Sequence, residues 1–147
     1  MEASEYPNVT LGEGYAVGDL DALGEGHGFR KVRKGLGVSA FGVNAIVMPA
    51  GYQTGRHYHD IQEELYFVHR GRIEMEFGDG AVQALGEGGM ARVDAATVRK
   101  IRNLGDSDAV YLCAGGKGGY IGRDGRVRPG EEERLKALHD LSAEQPR

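Results

Sequence analysis

Glycine cuts this sequence into short pieces. Twenty-five of its 147 residues are glycine, against about 7% in ordinary proteins. With only 4 prolines and no three-residue period, the excess is neither collagen-like nor a proline-rich linker. Glycines that recur every few residues between short apolar runs mark tight turns, and many turns mean many short strands. Strands are predicted at residues 29–34, 40–48, 56–59, 64–70, 72–77, 81–85, 90–93, 97–102 and 108–114. Residues 72–77 alternate cleanly, with Ile73, Met75 and Phe77 on one face and Arg72, Glu74 and Glu76 on the other. Asp79-Gly80 then gives the signal of a two-residue type I′ hairpin. Asp124-Gly125 predicts a second small hairpin, between 120–123 and 126–128. Only residues 131–141 read as helix: glutamates fill the first turn, and Leu135, Leu138 and Leu141 form a narrow stripe. The fold class is therefore all-β, a single sandwich or barrel with a short C-terminal helix.

The length suits one domain with its own core. Residues 1–39 read as an N-terminal arm with the first strands, 40–114 as the core, and 115–147 as a glycine-rich loop, hairpin and helix. A net charge of −4 argues against nucleic acid, whose phosphates are bound by clustered cations. The longest apolar stretches span only a few residues, so no membrane span is expected. The first twenty residues carry several glutamates and no apolar signal core. A lone Cys113 excludes an internal disulfide framework and suits the cytoplasm.

The chemistry gathers at His57, His59 and Glu64. A His-x-His pair on a strand puts both imidazoles on one face, and a carboxylate at the head of the next strand can close on the same point. Imidazole with carboxylate suits divalent Mn, Fe, Ni, Cu or Zn. The frame Gly51-x5-His57-x-His59-x4-Glu64-x6-Gly71 resembles the first signature motif of the cupins at every fixed position. The resemblance covers about residues 40–114. It implies a double-stranded β-helix, the cupin or jelly-roll barrel, with the ligands facing inward. It also implies frequent homodimers.

The second cupin motif would fall on Gly88, Asp94, Ala96, Arg99 and Asn103. Glycine and asparagine are kept, but the proline is Asp94, the second glycine is Ala96, and the fourth ligand is Arg99. Arginine stays protonated and only donates, so it cannot ligate a metal. Facing inward, its charge at about 5 Å from a dication costs roughly 6–7 kcal/mol at an effective dielectric near 20. Three arrangements relieve that repulsion. Arg99 can pair with Glu64 in place of a metal. It can bend aside and leave His57, His59 and Glu64 as a three-ligand site, similar to the facial triad of Fe(II) oxygenases. Or it can hold an anionic ligand at the metal.

Tyr66 shares the face of Glu64 and offers a hydroxyl to a substrate. Val68 there, and Ile101 on the face of Arg99, are explained by core packing. Gln62 and Glu63 are reserve ligands. His69 and Arg70 read as solvated, His27 as a loop residue, His139 as a cation late in the helix, and Cys113 as a small core residue. The cations of 30–34 and of 99–102 fall on opposite sides of a strand, with a solvated face as the default reading. Residues 115–119 lack the Ser or Thr of a phosphate loop. Two classes of function follow. One is a metal-dependent oxygenase, isomerase or decarboxylase whose small acidic ligand is oriented by Arg99 and Tyr66. The other is a metal-free barrel that binds a small anion without catalysis.

Overall fold

The computed structural model describes residues 5–127; the helix expected at 131–141 and His139 lie outside them. The described chain opens with a hairpin, β1 (Thr10–Gly12) and β2 (Tyr15–Val17), then a 3₁₀ turn at Asp21–Leu23, β3 (Gly28–Arg30) and the five-residue α1 (Val32–Leu36). The main body follows: β4 (Gly42–Met48), β5 (His57–His59), β6 (Glu63–Arg70), β7 (Ile73–Phe77), β8 (Val82–Leu85), β9 (Met90–Val93), β10 (Arg99–Asn103), β11 (Ala109–Gly116) and β12 (Gly125–Val127). Two five-stranded sheets form, one in the order β3-β4-β11-β6-β9 and the other β12-β5-β10-β7-β8. Every pairing is antiparallel. From β4 to β12 the chain crosses back and forth between the sheets, with β7 and β8 forming a hairpin within one of them, in the manner of a double-stranded β-helix, so the fold class is all-β as expected. No helix among the described residues is long and apolar enough to cross a membrane.

The core lies between the sheets and follows the period-two alternation. Ile46 and Met48 of β4, Tyr66 and Val68 of β6, Ile73 and Met75 of β7, and Ile101 of β10 are all buried. On the opposite face of β7 and β10, Glu74 meets Arg102 and Glu76 meets Arg56, so the alternation read from the sequence holds. A second cluster of Tyr6, Val9 and Leu23, joined by Val32 and Leu36, packs the N-terminal arm.

Three local expectations are corrected. Residues 29–34 are not one strand: β3 ends at Arg30 and α1 begins at Val32. Gly37 sits at φ 73°, a left-handed C-cap whose N–H donates to Arg33 O, and that stop stabilises a single helical turn. Of the cations there, Arg30 is buried rather than solvated. The hairpin between β7 and β8 exists, with Glu76 opposite Val82, but its turn is longer than two residues. Phe77 N–H donates to Ala81 O, and Gly80 N–H to Phe77 O. Only Gly80 takes a positive φ there, 89°, which fits a three-residue loop closed by a glycine bulge.

The framing residues of the two motifs have structural reasons. Gly71 has φ 80°, and a Cβ there would lie 3.0 Å from Ala109 Cα. Asn103 donates to Met48 O (3.0 Å) and Ser107 O (2.9 Å) and accepts from Gly105 N–H (2.8 Å), which ties the turn before β11 to β4.

Candidate metal centre

His57 and His59 lie on β5, and their rings sit edge to face with centroids 5.8 Å apart. Glu64 enters from β6 in the other sheet, opposite Gly115 of β11 and Val93 of β9. One end of the double-sheet body therefore collects donors from both sheets. The donor atoms of His57, His59 and Glu64 all lie within 4.8 Å of one another, and His59 Nε2 is 3.1 Å from Glu64 Oε1. An ion with ligands at about 2.0–2.2 Å spaces those ligand atoms about 3–4 Å apart. The set is close to that spacing, and two imidazoles with one carboxylate form a suitable donor set for a first-row dication.

Arg99 stands directly opposite His57 in the register of β10 and β5, so it faces inward, as the motif frame requires. Its side chain has no exposed surface. Nη1 donates to Thr97 O (2.8 Å) and Ala95 O (3.3 Å), Nη2 donates to Asp94 O (3.5 Å), and Nη2 lies 3.6 Å from Glu64 Oε1. Nε is buried without a partner among the described residues. The turn that replaces the proline and second glycine of the motif thus turns its carbonyls onto the guanidinium. The geometry combines the first two arrangements open to the sequence: Arg99 is drawn aside by carbonyls and still touches Glu64. Tyr66 is buried, and its hydroxyl donates to Glu64 Oε1 at 2.7 Å.

These neighbours set the charges. Burial alone would push the Glu64 carboxyl up, but the His59 hydrogen bond and charge, the Tyr66 hydroxyl and the Arg99 guanidinium together hold it down to about 2. Burial first, and then the nearby Arg99 charge, lowers His57 to about 4 against the pull of Glu64. At neutral pH His57 is therefore an uncharged imidazole and Glu64 a carboxylate, the forms that ligate. Burial and the Glu64 charge push the Cys113 thiol and the Tyr66 phenol up, so both remain protonated.

Other candidates fall elsewhere. Glu63 turns outward, its side chain 59% exposed. Gln62 reaches the opposite side of the His59 ring, with Nε2 3.1 Å from Nδ1. His27 meets Asp108 at 3.0 Å, at the end of β11 away from Gly115. Cys113 packs against the core, and the Glu64 charge acts on its thiol, so it lies beside the site.

Two features escaped the sequence. One is the carbonyl cradle around Arg99. The other is Asp124, 4% exposed, which accepts the N–H groups of Ile61 (2.9 Å) and Gln62 (2.8 Å). Asp124-Gly125 makes no hairpin: Gly125 opens β12, which pairs with β5. A buried carboxylate that caps a distant loop outweighs the local turn signal.

Residues 44–115 match the family described as the cupin domain. No curated protein matches the sequence. Among solved structures, a cupin-superfamily sugar phosphate isomerase from Silicibacter pomeroyi is 28% identical, with a TM-score of 0.51 over 55% of this chain and 53% of that one. The match thus spans about half the length of the isomerase. A double-stranded β-helix protein from Klebsiella pneumoniae is 19% identical, with a TM-score of 0.54 over 60% of this chain and 74% of that one. The capsular polysaccharide assembling protein of Staphylococcus aureus is 17% identical, with a TM-score of 0.52 over 60% of this chain and 28% of that one. The intact first motif, the paired sheets it frames and these matches agree: residues 44–115 form a small cupin domain.

Proposed function

We propose that this cupin is a metal-dependent enzyme acting on a small anionic substrate, with His57, His59 and Glu64 holding a divalent transition metal. The convergence of their donor atoms within 4.8 Å carries the reading. Bound there, the metal would supply Lewis-acid assistance to a substrate oxygen. The chain's own residues prepare the place: Tyr66 and Arg99 fix Glu64 and keep it ionised, and burial keeps His57 neutral.

Charge favours an anion once the metal is present. Arg99 alone is offset by the carboxylates of Glu64 and Asp124, whereas a dication leaves the pocket net positive. Arg99 has no exposed surface, so it acts on such a ligand through its field rather than by direct contact. The cupin sugar phosphate isomerase, at 28% identity, supports a phosphorylated small molecule and isomerase chemistry above the other classes.

The contact of Arg99 with Glu64 at 3.6 Å favours a second reading, a metal-free barrel that binds an anion without catalysis. Metal analysis of untagged protein, before and after reconstitution with Mn, Fe, Ni, Cu and Zn, separates the two. About one equivalent, lost in His57→Ala and His59→Ala, is expected. A small fraction of an equivalent even after reconstitution would overturn the metal reading. Calorimetric titration with a sugar phosphate should show binding only to the loaded protein; equal binding without metal supports the second reading.

A further inference from the structure

We propose that Asp124 and Gln62 position His59, and that the Gln62 amide turns over as His59 exchanges tautomers on metal loading. This rests on the metal reading above. Asp124 and β12 follow the part of the chain that matches the cupin family, residues 44–115. β12 lies along β5, with Gly125 opposite His59 and Val127 opposite His57. Just before it, Oδ2 of Asp124 accepts from Ile61 N–H and Gln62 N–H, and Asp60 N–H donates to the Asp124 carbonyl at 3.3 Å. The turn that carries the chain from His59 to Glu64 is therefore wrapped around one buried carboxylate from a distant segment.

That carboxylate also faces the imidazole. Oδ2 lies 3.8 Å from His59 Nδ1, and Gln62 Nε2 lies 3.1 Å from the same nitrogen. Nε2 of His59 points the other way, to Glu64 at 3.1 Å. In this arrangement the amide N–H of Gln62 donates to Nδ1. The single proton of a neutral ring is then on Nε2 and is donated to Glu64.

A metal at Nε2 needs the lone pair that this tautomer lacks. The Nε2 proton passes to solvent water and the ring takes one from water at Nδ1, with no change in the charge of the imidazole. Nδ1–H then requires an acceptor. Gln62 supplies one when its amide turns by half a revolution and presents Oε1, because an amide carries a donor and an acceptor in the same volume. Asp124, which only accepts, favours the Nδ1–H form through its charge. A carboxylate or amide behind a ligating histidine fixes its ring and raises its basicity, and losing it typically weakens metal binding by about 10–100-fold.

Long-range ¹H–¹⁵N correlation spectra of His59 test the inference alongside zinc affinity and melting temperature. The metal-stripped protein is expected to show His59 protonated on Nε2, and the zinc-loaded protein to show protonation on Nδ1. Asp124→Asn keeps an oxygen for both N–H groups but removes the charge, and should weaken zinc by about 10–100-fold. Gln62→Met fills the space without the amide's donor or its strong acceptor; it should shift the His59 tautomer balance even if Asp124→Asn fails to fold. A ring that keeps its Nε2 proton with zinc bound, or wild-type affinity in Asp124→Asn, overturns the inference and leaves the metal reading standing. Wild-type protein that takes up no zinc overturns the metal reading and the exchange with it. In that case an Nδ1–H ring in the stripped protein, or a spectrum unmoved by Gln62→Met, overturns the positioning role as well.

Discussion

Glu64→Gln in metal-stripped protein isolates what Glu64 does for the fold. Its Oε1 lies 3.6 Å from Arg99 Nη2, which corresponds to about 5 kcal/mol of attraction at an effective dielectric near 20. The net effect is smaller, because three carbonyls go on accepting from Arg99. Removing one member of a buried pair costs about 3–5 kcal/mol, and the 2.7 Å bond from Tyr66 loses its charged acceptor. We expect a total loss of about 3–5 kcal/mol, which at about 2–4 °C per kcal/mol lowers the melting temperature by roughly 10 °C. Urea unfolding read by tyrosine fluorescence suits a chain with 7 tyrosines and no tryptophan. Arg99→Met removes the opposing charge, so the double variant should recover stability, with a coupling of about 2 kcal/mol or more. A stripped Glu64→Gln protein as stable as wild type, or strictly additive variants, would refute the idea that Glu64 balances Arg99.

Acid should weaken the metal-stripped fold in two steps. His57, lowered to about 4 from 6.5, leaves the unfolded chain holding more protons between those values, so stability falls as pH drops through that window. Glu64, lowered to about 2 from 4.5, contributes stability that is present above its unfolded value and lost as pH falls toward 2. Urea midpoints against pH should show both steps, and His57→Gln should erase only the upper one; an unchanged upper slope would contradict the buried neutral imidazole. Gly115→Ala would place a Cβ 2.7 Å from Gln62 Oε1, 2.9 Å from Glu63 O and 3.1 Å from Glu64 Cγ. Overpacking of this kind costs about 1–3 kcal/mol and should also weaken zinc by displacing Glu64; an unshifted melting curve would count against the packing described. Arg99→His puts an imidazole beside His57 in the β10–β5 register, and zinc affinity by competition titration should rise roughly tenfold or more as the repelling charge goes. Unchanged affinity would show that the guanidinium does not oppose the metal.

The parts legible in the sequence are those fixed by short spacing. His57 and His59 share a face because a strand repeats every two residues, and Tyr66 and Val68 follow Glu64 inward for the same reason. Arg99 sits opposite His57, so the motif frame placed it correctly even though the residue departs from the motif. What stayed hidden depends on contacts distant in the chain. Asp124 meets residues 61 and 62 only because β12 lies on β5, while its own neighbours read as a simple turn. The cradle around Arg99 consists of backbone carbonyls, which carry no residue signature. Arg30 is buried and donates to Gly26 O, a contact that a run of cations conceals. At Gly80 the residue type pointed to the turn, but not to the number of residues in it.

The central claim is that two imidazoles and a carboxylate share one metal. Anomalous diffraction from crystals of the zinc-reconstituted protein, collected on both sides of the zinc edge, tests it most directly. We expect a single strong peak about 2.0–2.2 Å from one nitrogen each of His57 and His59 and from an oxygen of Glu64. No peak at their meeting point, or zinc held only at other side chains, would contradict it.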